Sequence, residues 1–187
     1  MNTKPEIQNF DGLPQSIVLP KTGQTVIFDV YRPDKDFQDL YEIWWEVIDK
    51  GQSYLQYTTN EQEFQEVFVS KSCFVFRLMD NNKTIGAFHL KPSAPGRASH
   101  TGCYERIVHK DYRNIGLGGL MLDMVDIYAP LLGYKSLIAY VFATNDASIA
   151  TNLKKGLVQT GCIPRAVYLK AFGFTDTLIF HKSLTND

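Results

Sequence analysis

The hydrophobic and polar positions of this chain divide it into short strands with helices inserted between them. Segments rich in Val, Ile, Phe and Tyr have the length of strands and are separated by Gly, Pro, Asn or Asp, which is the pattern of β-structure. We predict strands at residues 16–19, 25–31, 73–79, 84–90, 103–109, 134–142, 162–168 and 176–182. The order of the elements predicts a mixed α/β fold whose first half is largely antiparallel.

Helix signals occupy the segments between these strands. The predicted helices cover residues 33–51, 59–70, 116–132 and 145–155. Pro33 favours the start of the first helix and Gly51 its end. Thr59 and Gln62 have the spacing of a capping box at the start of the second helix. Asn145 offers a side-chain cap for the last helix.

The stretch from residue 103 to residue 120 combines a predicted strand, a polar turn and the start of an amphipathic helix. The first N–H groups of a helix have no partner within it, and the helix dipole is positive at that end. Gly116, Gly118 and Gly119 lack side chains, so a bulky anion can approach these N–H groups. Arg113 adds a cation. This turn predicts a pyrophosphate site, and the alternative is a glycine-rich connection without a ligand.

Size and charge narrow the classes of protein to which the chain can belong. Its 187 residues suit one domain with a hydrophobic core. The net charge of −1 and the absence of a basic run argue against a nucleic-acid partner. No apolar stretch approaches the roughly 20 residues of a membrane span, and residues 1–15 lack the apolar segment of a secretory signal. We expect a cytoplasmic protein with a flexible arm at residues 1–15 and one domain at residues 16–187.

Cysteine and histidine positions argue against a metal centre. Cys73, Cys103 and Cys162 are odd in number and widely separated, and no C-x-x-C occurs. The four histidines show no ligand spacing. We therefore expect reduced, buried thiols and no bound metal.

The glycine turn does not match the common nucleotide-binding motifs. Met121 occupies the place of the third glycine of G-x-G-x-x-G, and the Gly-Lys-Ser/Thr of a P-loop is missing. The turn does match R-x-x-G-x-G through Arg113, Gly116 and Gly118, preceded by V-H-K-D-Y at residues 108–112. It resembles the acyl-coenzyme A loop of the GNAT superfamily of N-acetyltransferases.

A second resemblance to the same superfamily follows the next predicted strand. Its members carry a pattern close to N-x-x-A/S-I-x-x-Y-x-x-x-G-F, and this chain has Asn145, Ser148, Ile149 and Gly156 in those places, with Leu157 for the Phe. The resemblance implies a single GNAT-type domain with about four helices and a mixed central sheet of six to seven strands. It also implies that two parallel strands splay apart and that acetyl-coenzyme A lies in the gap.

The resemblance carries the contacts of acetyl-coenzyme A onto individual positions of this sequence. It implies that the diphosphate binds Arg113 and the amides of residues 114–119, and that a backbone N–H near Ile107 and Val108 holds the thioester oxygen. The expected cofactor-binding residues are Ile107, Val108, Arg113, Asn114, Ile115, Gly116, Leu117, Gly118, Gly119, Asn145 and Ser148.

Glu105 is the expected general base. An acceptor amine must lose a proton before it attacks a thioester, and many members of the superfamily place an acidic base on the strand that leads to the glycine turn. The alternative is that Glu105 pairs with a cation, such as Arg106 or Arg97, on an exposed face. His100 acting through water is another candidate base, whereas a structural use is expected of His109.

Asn152 stands where the second motif has a tyrosine. An amide cannot act as an acid, but it can donate a hydrogen bond to the sulfur of the leaving thiolate. Tyr168 and water are alternative proton donors. Glu105 and Asn152 are thus the expected catalytic residues. The alternative function is an acyl-coenzyme A-binding sensor or regulatory module with little or no catalysis.

Residues 84–182 also resemble a narrower group, the fungal-type acetyltransferases that act on proline analogues such as azetidine-2-carboxylate. The shared positions are 90–92, 95–97, 99–100, 132–135, 161–164 and 176. Cys103 and Ala139 replace two asparagines that are associated with substrate binding in that group. The resemblance implies acetylation of a primary or secondary amine of a small molecule or amino acid by direct attack on the thioester, and it allows a homodimer.

Overall fold

The computed structural model describes residues 10–51, 60–69 and 72–185. Its strands are β1 (Gln15–Val18), β2 (Thr25–Val30), β3 (Cys73–Leu78), β4 (Thr84–Pro92), β5 (Thr101–Val108), β6 (Ser136–Phe142), β7 (Val158–Leu169) and β8 (Gly173–Ser183). Its α-helices are α1 (Pro33–Lys50), α2 (Glu61–Val67), α3 (Leu117–Leu131) and α4 (Asp146–Lys154). Helices inserted between strands confirm the predicted α/β class.

One mixed sheet contains the eight strands of the described ranges, in the order β1-β2-β3-β4-β5-β6-β8-β7. The prediction of six to seven strands is therefore wrong. The two outermost strands are β1, which has only 4 residues, and β7, whose side chains are mostly exposed. The eight segments predicted from the hydrophobic pattern each overlap one of these strands, so the error lies in the count that the family resemblance implied.

Strands β5 and β6 form the parallel pair of this sheet. Residues 101–103 pair with residues 136–138, whereas the other neighbouring strands of the described ranges pair antiparallel. The parallel ladder ends at Cys103 and Ile138, although both strands continue. The two strands therefore diverge, as predicted, and a gap opens between their facing edges.

Each face of the sheet has its own hydrophobic core, because alternate residues of a strand point to opposite faces. Phe74 and Phe88 pack on one face with Tyr128 of α3. Ala87 packs on the other face with Trp44 of α1. Full burial of a large apolar side chain contributes roughly 1.5–3 kcal/mol. The two cores together fix the strand register and hence the positions of the side chains around the gap.

Helix boundaries agree with most of the sequence signals. Pro33 lies in the first turn of α1, and Gly51 ends the helix with φ 59°. The predicted capping box is wrong, because the N-cap of α2 is Asn60, whose side chain accepts a hydrogen bond from the backbone N–H of Glu63 at 2.8 Å. Thr59 lies outside the described residues.

The predicted arm is described only from Phe10 onward, and residues 1–9 lie outside the described residues. The ring of Phe10 packs against that of Tyr128, with centroids 5.2 Å apart. Gln15 already belongs to β1.

The cysteines differ in their surroundings. Cys73 and Cys103 are buried, as predicted, but Cys162 is exposed because it belongs to the outer strand β7. Within the described ranges, no helix is long and apolar enough to cross a bilayer. The same ranges contain no group of three His, Cys, Asp or Glu side chains placed to hold a metal ion.

Candidate active site

A cavity of about 870 Å³ lies where β5 and β6 diverge, and the starts of α3 and α4 border it. Eleven predicted site residues line it, namely Glu105, Ile107, Val108, Arg113, Asn114, Gly116, Gly118, Gly119, Asn145, Ser148 and Asn152. Ile115 and Leu117 do not line it, since the side chain of Leu117 is buried in the core and that of Ile115 packs against it. Only the backbone of these two residues is placed to contact a ligand at the turn.

The glycine turn has the geometry of an anion site. Gly116 precedes α3 with φ 94°, a conformation that residues with a side chain rarely adopt. The backbone N–H groups of residues 114–118 donate to no acceptor in the described part of the chain, as expected at a helix start. The N–H of Gly119 instead donates to the carbonyl oxygen of Gly116 at 3.1 Å. The turn thus presents successive donors at the positive end of a helix dipole.

Two cations flank the turn. Arg113 donates from Nε to the carbonyl oxygen of Val108 at 3.2 Å, and its Nη2 lies 3.8 Å from a carboxylate oxygen of Glu46 on α1. Lys21, from the connection between β1 and β2, donates to the carbonyl oxygen of Asn114 at 3.1 Å. Both side chains add positive potential beside the exposed amides.

The start of α4 forms the opposite wall of the cavity. The side chain of Asn145 accepts a hydrogen bond from the backbone N–H of Ser148 at 3.2 Å and so caps the helix. Arg106 of β5 reaches between α3 and α4, where Nη1 donates to the carbonyl oxygen of Gly118 at 2.6 Å and Nη2 lies 3.4 Å from Ser148 Oγ. These contacts bring a guanidinium close to both helix starts.

The gap itself presents backbone edges. Residues 104–108 of β5 and residues 139–142 of β6 have no strand partner across the gap in the described ladders, while their outer edges pair with β4 and β8. Ile107 and Val108 line this part of the cavity. An extended ligand with amide groups can bind such edges as an added strand would.

Glu105 pairs with a lysine from the neighbouring strand. Lys91 Nζ on β4 donates to Glu105 Oε1 at 3.0 Å. The expected alternative partners, Arg106 and Arg97, are not the cations that hold this carboxylate. Glu105 Oε2 is buried and has no hydrogen-bond donor among the described residues. One carboxylate oxygen is therefore held by a cation, and the other makes no hydrogen bond within the described ranges.

His89 lies opposite Glu105 in the ladder between β4 and β5. Its Nδ1 is 2.8 Å from the carbonyl oxygen of Phe68, which can only accept, so Nδ1 carries the proton. Burial lowers the pKa of His89 to about 4, although Glu105 favours the charged form. The ring is therefore neutral near pH 7 and adds no positive charge beside the carboxylate.

Asn152 is buried against a tyrosine of β5. The hydroxyl of Tyr104 donates to Asn152 Oδ1 at 2.6 Å, and Asn152 Nδ2 lies 3.4 Å from Ser148 Oγ. Burial raises the pKa of Tyr104, so its hydroxyl stays protonated. Both Tyr104 and Asn152 line the cavity.

The other candidate proton-transfer groups lie elsewhere. His100 Nδ1 is 3.0 Å from the carbonyl oxygen of Arg97, and His109 Nδ1 accepts from the backbone N–H of Asp111 at 3.3 Å. Tyr168 is on the exposed outer strand β7. None of the three candidates is among the cavity-lining residues of the described ranges.

Lys21 and Tyr104 are among the polar cavity residues that the sequence did not single out, whereas Arg106 lies in the stretch 105–108 that the resemblance places along the site. The two-residue period of β5 would have placed Tyr104 and Arg106 together on the face opposite Glu105. Lys21 contacts Asn114 across 93 positions of sequence, so no local pattern indicates it.

Comparison with known sequences agrees with this geometry. Residues 37–156 match the model of the acetyltransferase (GNAT) family. The chain is 30% identical over 155 residues to the N-acetyltransferase aca1 of Schizosaccharomyces pombe, and the match covers 71% of this chain and 73% of that protein.

Solved structures share the fold. A GCN5-related N-acetyltransferase from Kribbella flavida has a TM-score of 0.78 at 17% identity, and the match covers 84% of this chain and 97% of that chain. The acetyltransferase yncA of Salmonella typhimurium, solved with its cofactor acetyl-CoA, has a TM-score of 0.73 at 17% identity over 87% of this chain and 95% of that chain. At these identities the likeness is one of fold.

Proposed function

Because this chain belongs to the GNAT family of acetyltransferases, we propose that it transfers an acetyl group from acetyl-coenzyme A to a primary or secondary amine of a small molecule or amino acid. One observation carries the proposal: a single cavity joins the exposed amides of the glycine turn, the open strand edges and Glu105. A diphosphate, an extended amide-containing arm and an amine would therefore meet in one space. Acetyl-coenzyme A supplies the activated thioester.

The glycine turn fits the diphosphate. The N–H groups of residues 114–118 are donors without an acceptor among the described residues, and phosphate oxygens are acceptors that such a turn binds well. Arg113 and Lys21 add positive charge at its two sides. Asn145 and Ser148 face the same space from the start of α4.

The open edge of β5 suits the pantetheine arm and the thioester. Amide groups of the arm would pair with the strand edge in the manner of β-augmentation. A backbone N–H at Ile107 or Val108 would donate to the thioester oxygen, where negative charge grows during attack. No charged side chain is required for this role.

Glu105 would act as the general base. Its Oε1 is held by Lys91 and its Oε2 lacks a donor among the described residues, so the carboxylate is oriented and Oε2 makes no competing hydrogen bond there. The proton of the acceptor ammonium would pass to Glu105, and the nitrogen lone pair would then attack the carbonyl carbon. His89 beside it is neutral and therefore adds no second positive charge next to the carboxylate.

Asn152 would stabilise the leaving sulfur. As the new C–N bond forms, the C–S bond breaks and its electron pair stays on sulfur. A hydrogen bond from the amide Nδ2 of Asn152 favours this thiolate, which takes its proton from water as it leaves. Asn152 thereby serves as a donor of hydrogen bonds and not as an acid.

The residues at the end of the gap where the paired parts of β5 and β6 meet support the proposal of a small acceptor. Cys103 lies at the last paired position of β5, and Ala139 lies on β6 just beyond the parallel ladder; both line the cavity. Burial raises the pKa of Cys103 to about 11, so this wall is uncharged. The resemblance to the proline-analogue group supports an amino-acid acceptor, and the replacement of two asparagines favours a less polar side chain on it.

A panel of acceptors tests the proposal. Purified protein with acetyl-coenzyme A and each of a set of amino acids, cyclic imino acids and simple amines is assayed for release of free thiol. Amine-dependent release with formation of the N-acetyl product is expected for at least one acceptor class. Tight binding of acetyl-coenzyme A with no turnover on any amine would favour the sensor alternative, and a failure to bind acetyl-coenzyme A would contradict both functions.

A further inference from the structure

The contact between Tyr104 and Asn152 joins two buried polar side chains that face the cavity. Tyr104 is 6% exposed and Asn152 is 1% exposed. The 2.6 Å hydrogen bond between them spans the interface of β5 with α4. A buried hydroxyl and a buried amide cost stability unless they are paired, so this contact fixes both side chains.

The contacts with Tyr104 and Ser148 together set the direction of the amide in this structure. The side chain of asparagine has an acceptor oxygen and a donor nitrogen, and exchanging them by rotation reverses its hydrogen bonding. The hydroxyl of Tyr104 donates to Oδ1 and stays protonated because burial raises its pKa. Nδ2 is therefore turned away from Tyr104, toward Ser148 Oγ at 3.4 Å on the cavity wall.

We propose that Tyr104 is a positioning residue for departure of the thiolate: its hydroxyl holds Asn152 Oδ1 so that one N–H of the amide is presented to the leaving sulfur while the other faces Ser148 Oγ. The proposal rests on the acetyl transfer and on the role of Asn152 described above. Tyr104 itself transfers no proton, because its hydroxyl hydrogen is committed to Asn152. The negative charge stays on sulfur, held by N–H donors, until water protonates it.

Tyr104→Phe removes one oxygen atom and keeps the packed ring. Asn152 Oδ1 then loses its donor, and the amide is free to rotate its oxygen toward the sulfur, where it would repel the thiolate. We expect kcat to fall about 10- to 100-fold, somewhat less than the loss of a direct transition-state donor. The KM for acetyl-coenzyme A should stay within about twofold, because ground-state binding is made by other groups.

Tyr128→Phe is the matched control. Tyr128 is also a buried tyrosine, packed in the same core, but it does not line the cavity. This variant should retain the wild-type kcat. Thermal unfolding of both variants checks that each is folded before kinetics are compared.

A second readout separates positioning from a structural role. The ionisation of the thiol of free coenzyme A bound to the protein is followed by the ultraviolet absorbance of the thiolate as pH is varied. Hydrogen bonds to the charged form lower a pKa, so wild type should lower the pKa of the bound thiol relative to coenzyme A in water. Tyr104→Phe should return it toward the value in water by about one unit, and Tyr128→Phe should not.

A double-mutant cycle tests whether Tyr104 acts through Asn152. In an Asn152→Leu background, Tyr104→Phe should have almost no further effect on kcat, because the amide it positions is gone. The proposal would be overturned if the losses of kcat in the two single variants multiplied in the double variant, or if Tyr104→Phe left the pKa of the bound thiol unchanged. Neither result would contradict the proposed acetyl transfer. Absence of turnover in the wild-type protein would instead contradict the proposed function itself.

Discussion

Two clusters of buried polar side chains in this protein differ in how completely they are paired. In the first, Asp36 accepts from Arg77 at 2.6 Å on each oxygen, and Thr84 Oγ1 donates to its Oδ1 at 2.6 Å. Arg77 also donates to Asp29 at 2.8 Å. Burial would raise the pKa of Asp29, but the hydrogen bonds from Arg77 and Arg32 outweigh it and lower the pKa. This cluster is complete within the folded chain.

The second cluster is incomplete, and it consists of the cavity-lining Glu105, its buried strand neighbour His89 and the glycine turn. Glu105 Oε2 and His89 Nε2 are buried and have no hydrogen-bond partner among the described residues. The first N–H groups of the glycine turn are likewise without acceptors in the described ranges. Buried polar groups are ordinarily satisfied. The turn amides border the cavity, so a ligand bound there would complete their hydrogen bonding, whereas His89 does not line the cavity.

Under the proposed function, the complete cluster serves stability and the incomplete one serves chemistry. Asp29, Asp36 and Arg77 join β2, α1 and β3 away from the cavity. Glu105 and Asn152 border the gap between β5 and β6. Substitutions in the first cluster should lower stability and spare catalysis, and substitution of Glu105 should lower catalysis and spare stability.

The largest expected effect is that of Glu105→Gln. Loss of the base should lower kcat by about 10²- to 10⁴-fold, while the free energy of unfolding changes little because Glu105 is partly exposed. Steady-state kinetics and urea unfolding measure the two quantities. Glu42→Gln, an exposed glutamate on α1, is the control and should be neutral in both. Full activity in Glu105→Gln would remove Glu105 as the base.

Asp36→Asn should give the reverse pattern. It leaves Arg77 buried with an incomplete partner, and breaking a buried ion pair costs about 3–5 kcal/mol of unfolding free energy. The kcat per folded molecule should match wild type at a temperature where the variant is folded. Asp34 is an exposed residue in the same first turn of α1, and Asp34→Asn should lose far less unfolding free energy. A lower kcat in Asp36→Asn without a lower unfolding free energy would contradict the distinction between the two clusters.

His89 links the second cluster to pH. Its pKa is about 4 in the folded protein, against an ordinary 6.5. Between these values the unfolded chain binds a proton that folded His89 does not, so the unfolding free energy falls as pH is lowered through this range and levels off below it. The contribution of His89 to the unfolding free energy should fall by about 2 kcal/mol between pH 7 and pH 5.

His89→Gln isolates that contribution. An amide N–H donor can still reach the carbonyl oxygen of Phe68, but the titrating group is gone. Urea unfolding of wild type and variant at pH 7 and pH 5 should therefore show a smaller loss in the variant. His100→Gln, a substitution at an exposed position, serves as the control. Its unfolding free energy should fall between pH 7 and pH 5 by as much as that of the wild type. Equal losses in His89→Gln and wild type would refute the assignment.

The sequence was sufficient for the parts of the site that depend on local structure. The spacing of Gly116, Gly118 and Arg113 predicts the turn, because a helix start always leaves its first N–H groups exposed. Asn145 caps α4 as predicted for the same reason. Both features depend on a few neighbouring residues and on no distant contact.

Contacts between distant residues could not be predicted in this way. The pairing of Glu105 with Lys91 depends on the register of β4 with β5, and that of Tyr104 with Asn152 on the packing of a helix 48 positions away. Lys21 reaches the turn only because the first hairpin packs beside it. The cap of α2 depends on a one-residue boundary, to which sequence patterns are least sensitive.

The most direct test of the account is the affinity for acetyl-coenzyme A of Gly118→Ala, measured by calorimetric titration. A Cβ there would lie 3.4 Å from Arg106 Nη1, a flexible group, and alanine favours a helix by up to about 1 kcal/mol over glycine. Stability should thus be kept while the methyl group obstructs the diphosphate and weakens binding at least about tenfold, or about 1.4 kcal/mol. Gly161→Ala, with a similar 3.4 Å contact outside the cavity, should bind as wild type does. Unchanged affinity in Gly118→Ala would contradict the claim that the glycine turn binds the diphosphate.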